Sequence, residues 1–98
     1  MQVGIFLISI VIPVHNGEKY IKQISNRILN QSLKEVELIL IENFSTDSSL
    51  FACQSIAEKD NRVTVTQCFD KGTSFARKKG IELTRGKYTF FAIRMMIW

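Results

Sequence analysis

Residues 5–17, Ile-Phe-Leu-Ile-Ser-Ile-Val-Ile-Pro-Val-His-Asn-Gly, constrain this chain more than any other stretch. A nearly unbroken apolar run rich in β-branched residues suits a strand buried on both faces, because each pleated face then meets core. Pro13 has no N–H to give a ladder and is expected to stop the strand. His15, Asn16 and Gly17 bring polar groups to the turn, and Asn16 is expected to cap a following helix. Open α/β sheets bind ligands in the crevice beyond the carboxyl ends of their strands. The end of this strand is therefore the first place to look for a site.

Residues 18–31 set Tyr20, Ile21, Ile24, Ile28 and Leu29 at three-to-four spacing, one face of an amphipathic helix. Residues 36–41 are apolar after Glu37 and predict a second buried strand, with Glu42 and Asn43 at its carboxyl end. Ser45, Thr46 and Asp47 are cap and first-turn types for a second helix, whose buried face is expected to carry Leu50, Cys53, Ile56 and Ala57. Residues 62–67 alternate, Val63 and Val65 against Thr64 and Thr66, as an edge strand does. After a loop at 69–72, Thr73 or Ser74 is expected to cap a third helix that turns Ala76, Gly80 and Leu83 inward and ends at Gly86. Residues 87–92 give a last strand. The order βαβαβαβ predicts an α/β fold: three layers, a mostly parallel sheet and helices on both faces. Right-handed crossovers, with the alternating strand at the edge, give the strand order 3-2-1-4. The switch point falls between strands 1 and 4, so polar residues ending strands 1, 2 and 4 should line one crevice.

Ninety-eight residues make one domain, and 46% hydrophobic residues with seven Phe are enough for a core. A net charge of +4 and a pI near 9.3 permit phosphate-bearing partners without identifying one. Cys53 and Cys68 form no Cys-x-x-Cys and meet a single His, so a zinc site is not expected and both read as buried, reduced thiols. The apolar start lacks a basic leader and a small-residue cleavage site, and is too short to span a bilayer. It reads as core strand, with no transmembrane segment and a cytoplasmic location.

Two roles are open to His15: an ordinary turn residue, or a flat ring at the crevice that stacks on a base or donates a hydrogen bond. Glu42 and Asn43 either satisfy loop backbone or read the edge of a ligand ring. Asp47 fits a helix-dipole partner better than a catalytic acid. Arg77, Lys78 and Lys79 make a solvated face, or Arg77, one turn after Thr73, meets phosphate. No Gly-x-Gly-x-x-Gly follows the first strand, no Gly-Lys-Ser/Thr loop exists, and no nucleophile elbow is present. No aromatic-studded RNA-binding signature accompanies the basic run, so no nucleic-acid partner is expected.

Ile10-Val11-Ile12-Pro13-Val14-His15-Asn16-Gly17, Ile41-Glu42-Asn43-Phe44-Ser45-Thr46-Asp47, Ala76-Arg77-Lys78-Lys79-Gly80-Ile81 and Gly86-Lys87-Tyr88 occur in this order over residues 8–92. Together they resemble the N-terminal half of a family 2 glycosyltransferase of GT-A fold, a Rossmann-like nucleotide-sugar-binding half. The resemblance implies a nucleotide-diphospho-sugar donor bound by Pro13, His15, Asn16, Glu42, Asn43 and Arg77. His15 would lie beside the base, the residue at Asn43 would read its edge, and Arg77 would lie close to the diphosphate. It also implies transfer to an acceptor in bacterial polysaccharide or glycolipid synthesis, with the full-length parent at the inner face of the membrane.

The departures are specific. The family's usual Asp-Asp-Gly-Ser is here Glu42-Asn43-Phe44-Ser45, so Asn43 adds a donor where an acceptor is usual, and Phe44 stands where a Gly is usual. After strand 4 the family carries an Asp-x-Asp that holds a divalent metal, Mn or Mg, on the diphosphate; here the chain reads Ala92-Ile93-Arg94-Met95-Met96-Ile97-Trp98. Restoring one G before the codon of Ile93 makes permitted codons read Asp-Ser-Asp-Asp-Asp-Leu. The expectation is thus a domain at 1–92 with an aberrant tail at 93–98, left by a one-base deletion or a cloning end. Such a chain would have no catalytic residues and no bound metal. It would keep weak donor affinity and expose strand 4 for self-association, and a non-catalytic nucleotide-binding or interaction module is the alternative.

Overall fold

The computed structural model describes residues 6–43, 45–68 and 73–91, with the backbone alone for 73–77 and 91. Seven elements follow in the expected order: β1 (Ile8–Val14), α1 (Glu18–Leu29), β2 (Val36–Asn43), α2 (Ser49–Lys59), β3 (Val63–Cys68), α3 (Thr73–Leu83) and β4 (Tyr88–Phe91). The sheet runs β3-β2-β1-β4 and all three pairings are parallel. Class, strand order and the edge position of β3 are therefore those expected from the sequence.

Strand alternation divides the core. Ile12, Val14, Leu38, Leu40 and Val63 face α1 and α2, meeting Ile21, Ile24, Ile28, Leu29, Ala52 and Cys53. Val11, Ile39 and Ile41 face the other way with Cys68 and pack against Leu83 of α3. Every residue of β2 is buried, as a central parallel strand requires. Gly80 is where α3 comes nearest the sheet: a Cβ there would overlap the Val11 side chain, so only glycine allows that approach.

Several local expectations are corrected. Pro13 does not stop β1; it sits inside it, in register with Ile41. Among the described residues, β1 pairs with β4 as far as Val11 and with β2 as far as Val14. Helix α1 ends at Leu29, and Tyr20 is 41% exposed because it lies off the stripe that meets the sheet. In α2 the fully buried residues are Ser49, Ala52 and Cys53; Ile56 and Ala57 pack against the core as expected, and Leu50 is only half-buried. Helix α3 ends at Leu83, and Gly86 is not its cap; Gly86 lies against β1, where a Cβ would come within 2.6 Å of Ser9 Oγ. The loop at 69–72, Phe44, the side chain of Ala76 and the 92–98 tail lie outside the described residues.

The amino end of the sheet is closed by a buried carboxylate. Glu37, 1% exposed, accepts hydrogen bonds from Ser9 Oγ at 2.5 Å, the Arg85 N–H at 2.6 Å and Arg85 Nε at 3.0 Å. Ser9 Oγ in turn accepts the Gly86 N–H at 2.8 Å, and the Arg85 guanidinium lies 4.9 Å from the centre of the Phe6 ring. A buried carboxylate persists when such donors satisfy it. Here they fix the α3–β4 connection under the first two strands.

Candidate functional site

At the opposite end, the loops after β1 and β2 meet. His15 and Asn43, 28 residues apart, are joined by a 2.7 Å hydrogen bond from His15 Nδ1–H to the Asn43 carbonyl. A carbonyl can only accept, so the proton sits on Nδ1 and the neutral ring keeps its lone pair on Nε2, 3.5 Å from Asn16 Nδ2. The His15 ring is exposed, whereas Asn43 is 8% exposed at the end of its strand.

Asn16 does not cap α1. It has φ 52°, a left-handed conformation that Asn tolerates better than most residues, and the N-cap is Gly17. Asn16 instead ties the two loops together: Oδ1 accepts the Thr46 N–H at 2.7 Å and Thr46 Oγ1–H at 3.2 Å, while its own N–H donates to Ser45 Oγ at 2.9 Å. Ser45, Thr46 and Asp47 likewise precede the helix, whose N-cap is Ser48. Glu42 is 4% exposed, and its carboxylate accepts the Ser45 N–H at 3.0 and 3.3 Å. The loop-satisfying role left open for Glu42 is the one seen.

Further out, Gly17 N–H donates to Ser49 Oγ at 2.8 Å, Glu18 N–H to Asp47 Oδ2 at 3.3 Å, Ser48 N–H to Glu18 Oε1 at 3.0 Å, and Ser49 N–H to Asp47 Oδ1 at 2.9 Å. Burial would raise the Asp47 pKa, but the bonds from the Ser49 hydroxyl and N–H and the Glu18 N–H outweigh it and hold the carboxyl below its ordinary value. Cys53, under the same loops, is pushed up to about 12 by burial and by the charges of Glu42 and Asp47.

These bonds decide what the lip can hold. Helix amino termini bind anions through unpaired N–H groups. Here the amides of residues 16, 17, 18, 45, 46, 48 and 49 all donate to side-chain acceptors, and three of the acceptors, Glu18, Glu42 and Asp47, are carboxylates. These amides are therefore not free to hold an anion. An anionic portion of a ligand has to be met elsewhere around the crevice. Arg77 lies one turn before Gly80 in α3, on the β1 side of the sheet, and its side chain lies outside the described residues.

Sequence reasoning missed Glu18, Ser49 and the cross-loop role of Asn16. The signal was present as an excess: five consecutive cap-type residues at 45–49 run into the start of α2, while α1 follows Gly17 with no side-chain cap of its own. The divalent metal implied by the family finds no fit among the described residues. Among the described residues no group of three His, Cys, Asp or Glu side chains converges, the Glu42 carboxylate is turned onto its own loop, and residues 83–98 contain no carboxylate.

The sequence matches the description "Glycosyl transferase family 2" over residues 9–92. The chain belongs to this family. Similar relatives include the glycosyltransferase GlyG of Streptococcus pneumoniae, 37% identical over 83 residues, covering 84% of this chain and 28% of that protein. An uncharacterized glycosyltransferase of Haemophilus influenzae is 42% identical over 86 residues, covering 87% of this chain and 34% of that protein. The chain thus spans about a third of the length of these relatives. Among solved structures, S. aureus TarS 1–349 superposes with a TM-score of 0.80 at 25% identity, over 90% of this chain and 27% of that one. The same TarS portion in complex with UDP gives 0.76 at 24% identity, with 90% and 27% covered. The family 2 domain here therefore carries the Rossmann-like part of a GT-A fold. Among the described residues no helix is long and apolar enough to cross a membrane.

Proposed function

We propose that this family 2 domain binds a nucleotide-diphospho-sugar, with the nucleoside at the lip formed by Pro13, His15, Asn16, Glu42 and Asn43 and the diphosphate toward Arg77. In the longer relatives' context, the reading extends to sugar transfer in bacterial polysaccharide or glycolipid synthesis. The observation that carries it is the consumption of the loop amides by side chains around the His15–Asn43 bond. Such a lip receives a flat, uncharged base. Support from likeness is that TarS, which shares the fold, has been crystallised with UDP.

The proposed roles follow from chemistry. The His15 ring offers a face to a base and a lone pair at Nε2. Glu42 and Asn16 shape the loops, and Pro13 stiffens the strand beneath them. A leaving nucleoside diphosphate needs cationic stabilisation. Arg77 supplies one such charge, and no carboxylate set for a metal accompanies it in residues 83–98. We therefore expect these 98 residues to bind donor weakly, at about 1 mM or about −4 kcal/mol, and not to transfer sugar. Titration with UDP, followed residue by residue by NMR, tests this. Shifts at His15, Asn43 and Arg77 bear it out; shifts absent there, or glycosyl transfer by the purified chain, overturn it.

A second reading rests on a separate observation. Tyr88 and Phe90, in register with Ile8 and Ile10 on the edge strand β4, are 52% and 57% exposed. Such an edge favours pairing with a second copy. Sedimentation at rising concentration separates a self-associating module from a monomeric nucleotide binder.

A further inference from the structure

The amino termini of α1 and α2 exchange caps. Glu18, the first residue of α1, sends Oε1 to the Ser48 N–H, and Asp47, just ahead of α2, receives the Glu18 N–H on Oδ2. Asp47 Oδ1 also accepts Ser49 Oγ–H at 2.5 Å. A serine hydroxyl has one proton, and a carboxylate can only accept it. Asp47 thus orients Ser49 so that its lone pairs face the Gly17 N–H, which reaches it at 2.8 Å. Both carboxyl-bearing residues are exposed. The clasp acts on His15 and Asn43 through the loops it holds.

We propose that Glu18 and Asp47 are positioning residues for the lip: by clasping the two helix starts together they keep the loops at the separation where His15 Nδ1–H meets the Asn43 carbonyl. This deepens the nucleotide reading and rests on it for the identity of the ligand. A loop pair that opens part of the time binds more weakly in proportion to the competent fraction. Losing a cap of this kind shifts such an equilibrium by about five- to tenfold.

The test uses the whole 98-residue chain, with Asp47→Ala, Asp47→Asn, Glu18→Ala and Glu18→Gln, and UDP as the probe. Three quantities are read: the UDP dissociation constant, the ¹⁵N shifts of the His15 ring without nucleotide, and the urea midpoint. The alanine variants are expected to weaken UDP about five- to tenfold and to move the His15 nitrogens toward the tautomer mixture of free imidazole. Glu18→Gln keeps an acceptor for Ser48 and stays within about twofold of the parent. Asp47→Asn keeps the Ser49 bonds but places a donor against the Glu18 N–H, and falls between. A lowered urea midpoint with unchanged His15 shifts and unchanged UDP affinity overturns the proposal, since the carboxylates would then serve only helix stability. If the parent chain itself ignores UDP, the nucleotide reading fails, while the His15 shifts still decide whether the clasp positions the ring. Should Asp47→Ala fail to fold, the two Glu18 variants carry the same decision.

Discussion

The two ends of this sheet use the same chemistry, carboxylates against backbone amides, to opposite effect. At the amino end, Glu37 is sealed from solvent, and its donors Ser9 and Arg85 close on it from β1 and from the approach to β4. At the carboxyl end, Glu18 and Asp47 remain exposed and join two loops that carry an outward-facing imidazole. One network fastens the layers; the other shapes a surface. A parallel sheet with its strands anchored at one end can hold irregular loops at the other without loosening the core, which is why ligand sites collect there.

Substitutions should separate the two ends cleanly. Glu37→Ala should cost most, about 3 kcal/mol in urea unfolding, because it leaves the Ser9 hydroxyl and the Arg85 N–H without their buried acceptor. UDP affinity of the folded protein should hold. A loss of affinity as large as the loss of stability would merge the two ends into one unit. Gly80→Ala should cost about 2 kcal/mol through overlap with Val11, and Val11→Ala in the same chain should recover part of it. His15→Ala, at an exposed position, should reverse the pattern: stability within about 1 kcal/mol of the parent and UDP binding weaker by about tenfold, the worth of one good contact.

Acid should act on both ends. The Arg62 side chain donates to Asp60 at 2.7 and 3.0 Å and holds that carboxyl below its ordinary value, as the loop bonds do for Asp47. A carboxyl depressed by folding contributes stability that is fully present above its unfolded pKa and lost as pH falls toward the folded one. The urea midpoint should therefore be flat near neutrality and decline below about pH 4. Asp60→Asn should lower the neutral plateau by about 1 kcal/mol and shallow the acid decline. The smallest effect concerns Cys53: with its thiol pushed up to about 12 and the side chain buried, it should resist alkylation at pH 8 until urea unfolds the chain.

The fold was legible because its signals are long and redundant. Two strands buried on both faces, three helical stripes and one alternating strand leave few topologies once crossovers must be right-handed. What the sequence misplaced depends on tertiary partners. Asn16 has the composition of a cap, but Thr46, thirty positions away, gives its side chain a better partner than the helix below it. Gly86 has the composition of a helix terminator, but Ser9 is what requires it to lack a side chain. Glu37 was visible as a charge inside an apolar strand, and nothing local told that Arg85 would answer it. Within the candidate site, the strand ends were legible from polarity at the turns. The exchange of caps was not, because it joins residues that only folding brings together.

The Asn16–Gly17 pair carries one more consequence. In a slack chain, an asparagine followed by glycine is prone to ring closure: the glycine nitrogen attacks the side-chain carbonyl, ammonia leaves, and hydrolysis gives aspartate or isoaspartate. In the folded protein that nitrogen is committed to Ser49 and that carbonyl to Thr46. The fold thus shelters a chemically perishable dipeptide at the edge of its own crevice. Molecules that have spent time unfolded should carry a lasting chemical mark of it at residue 16.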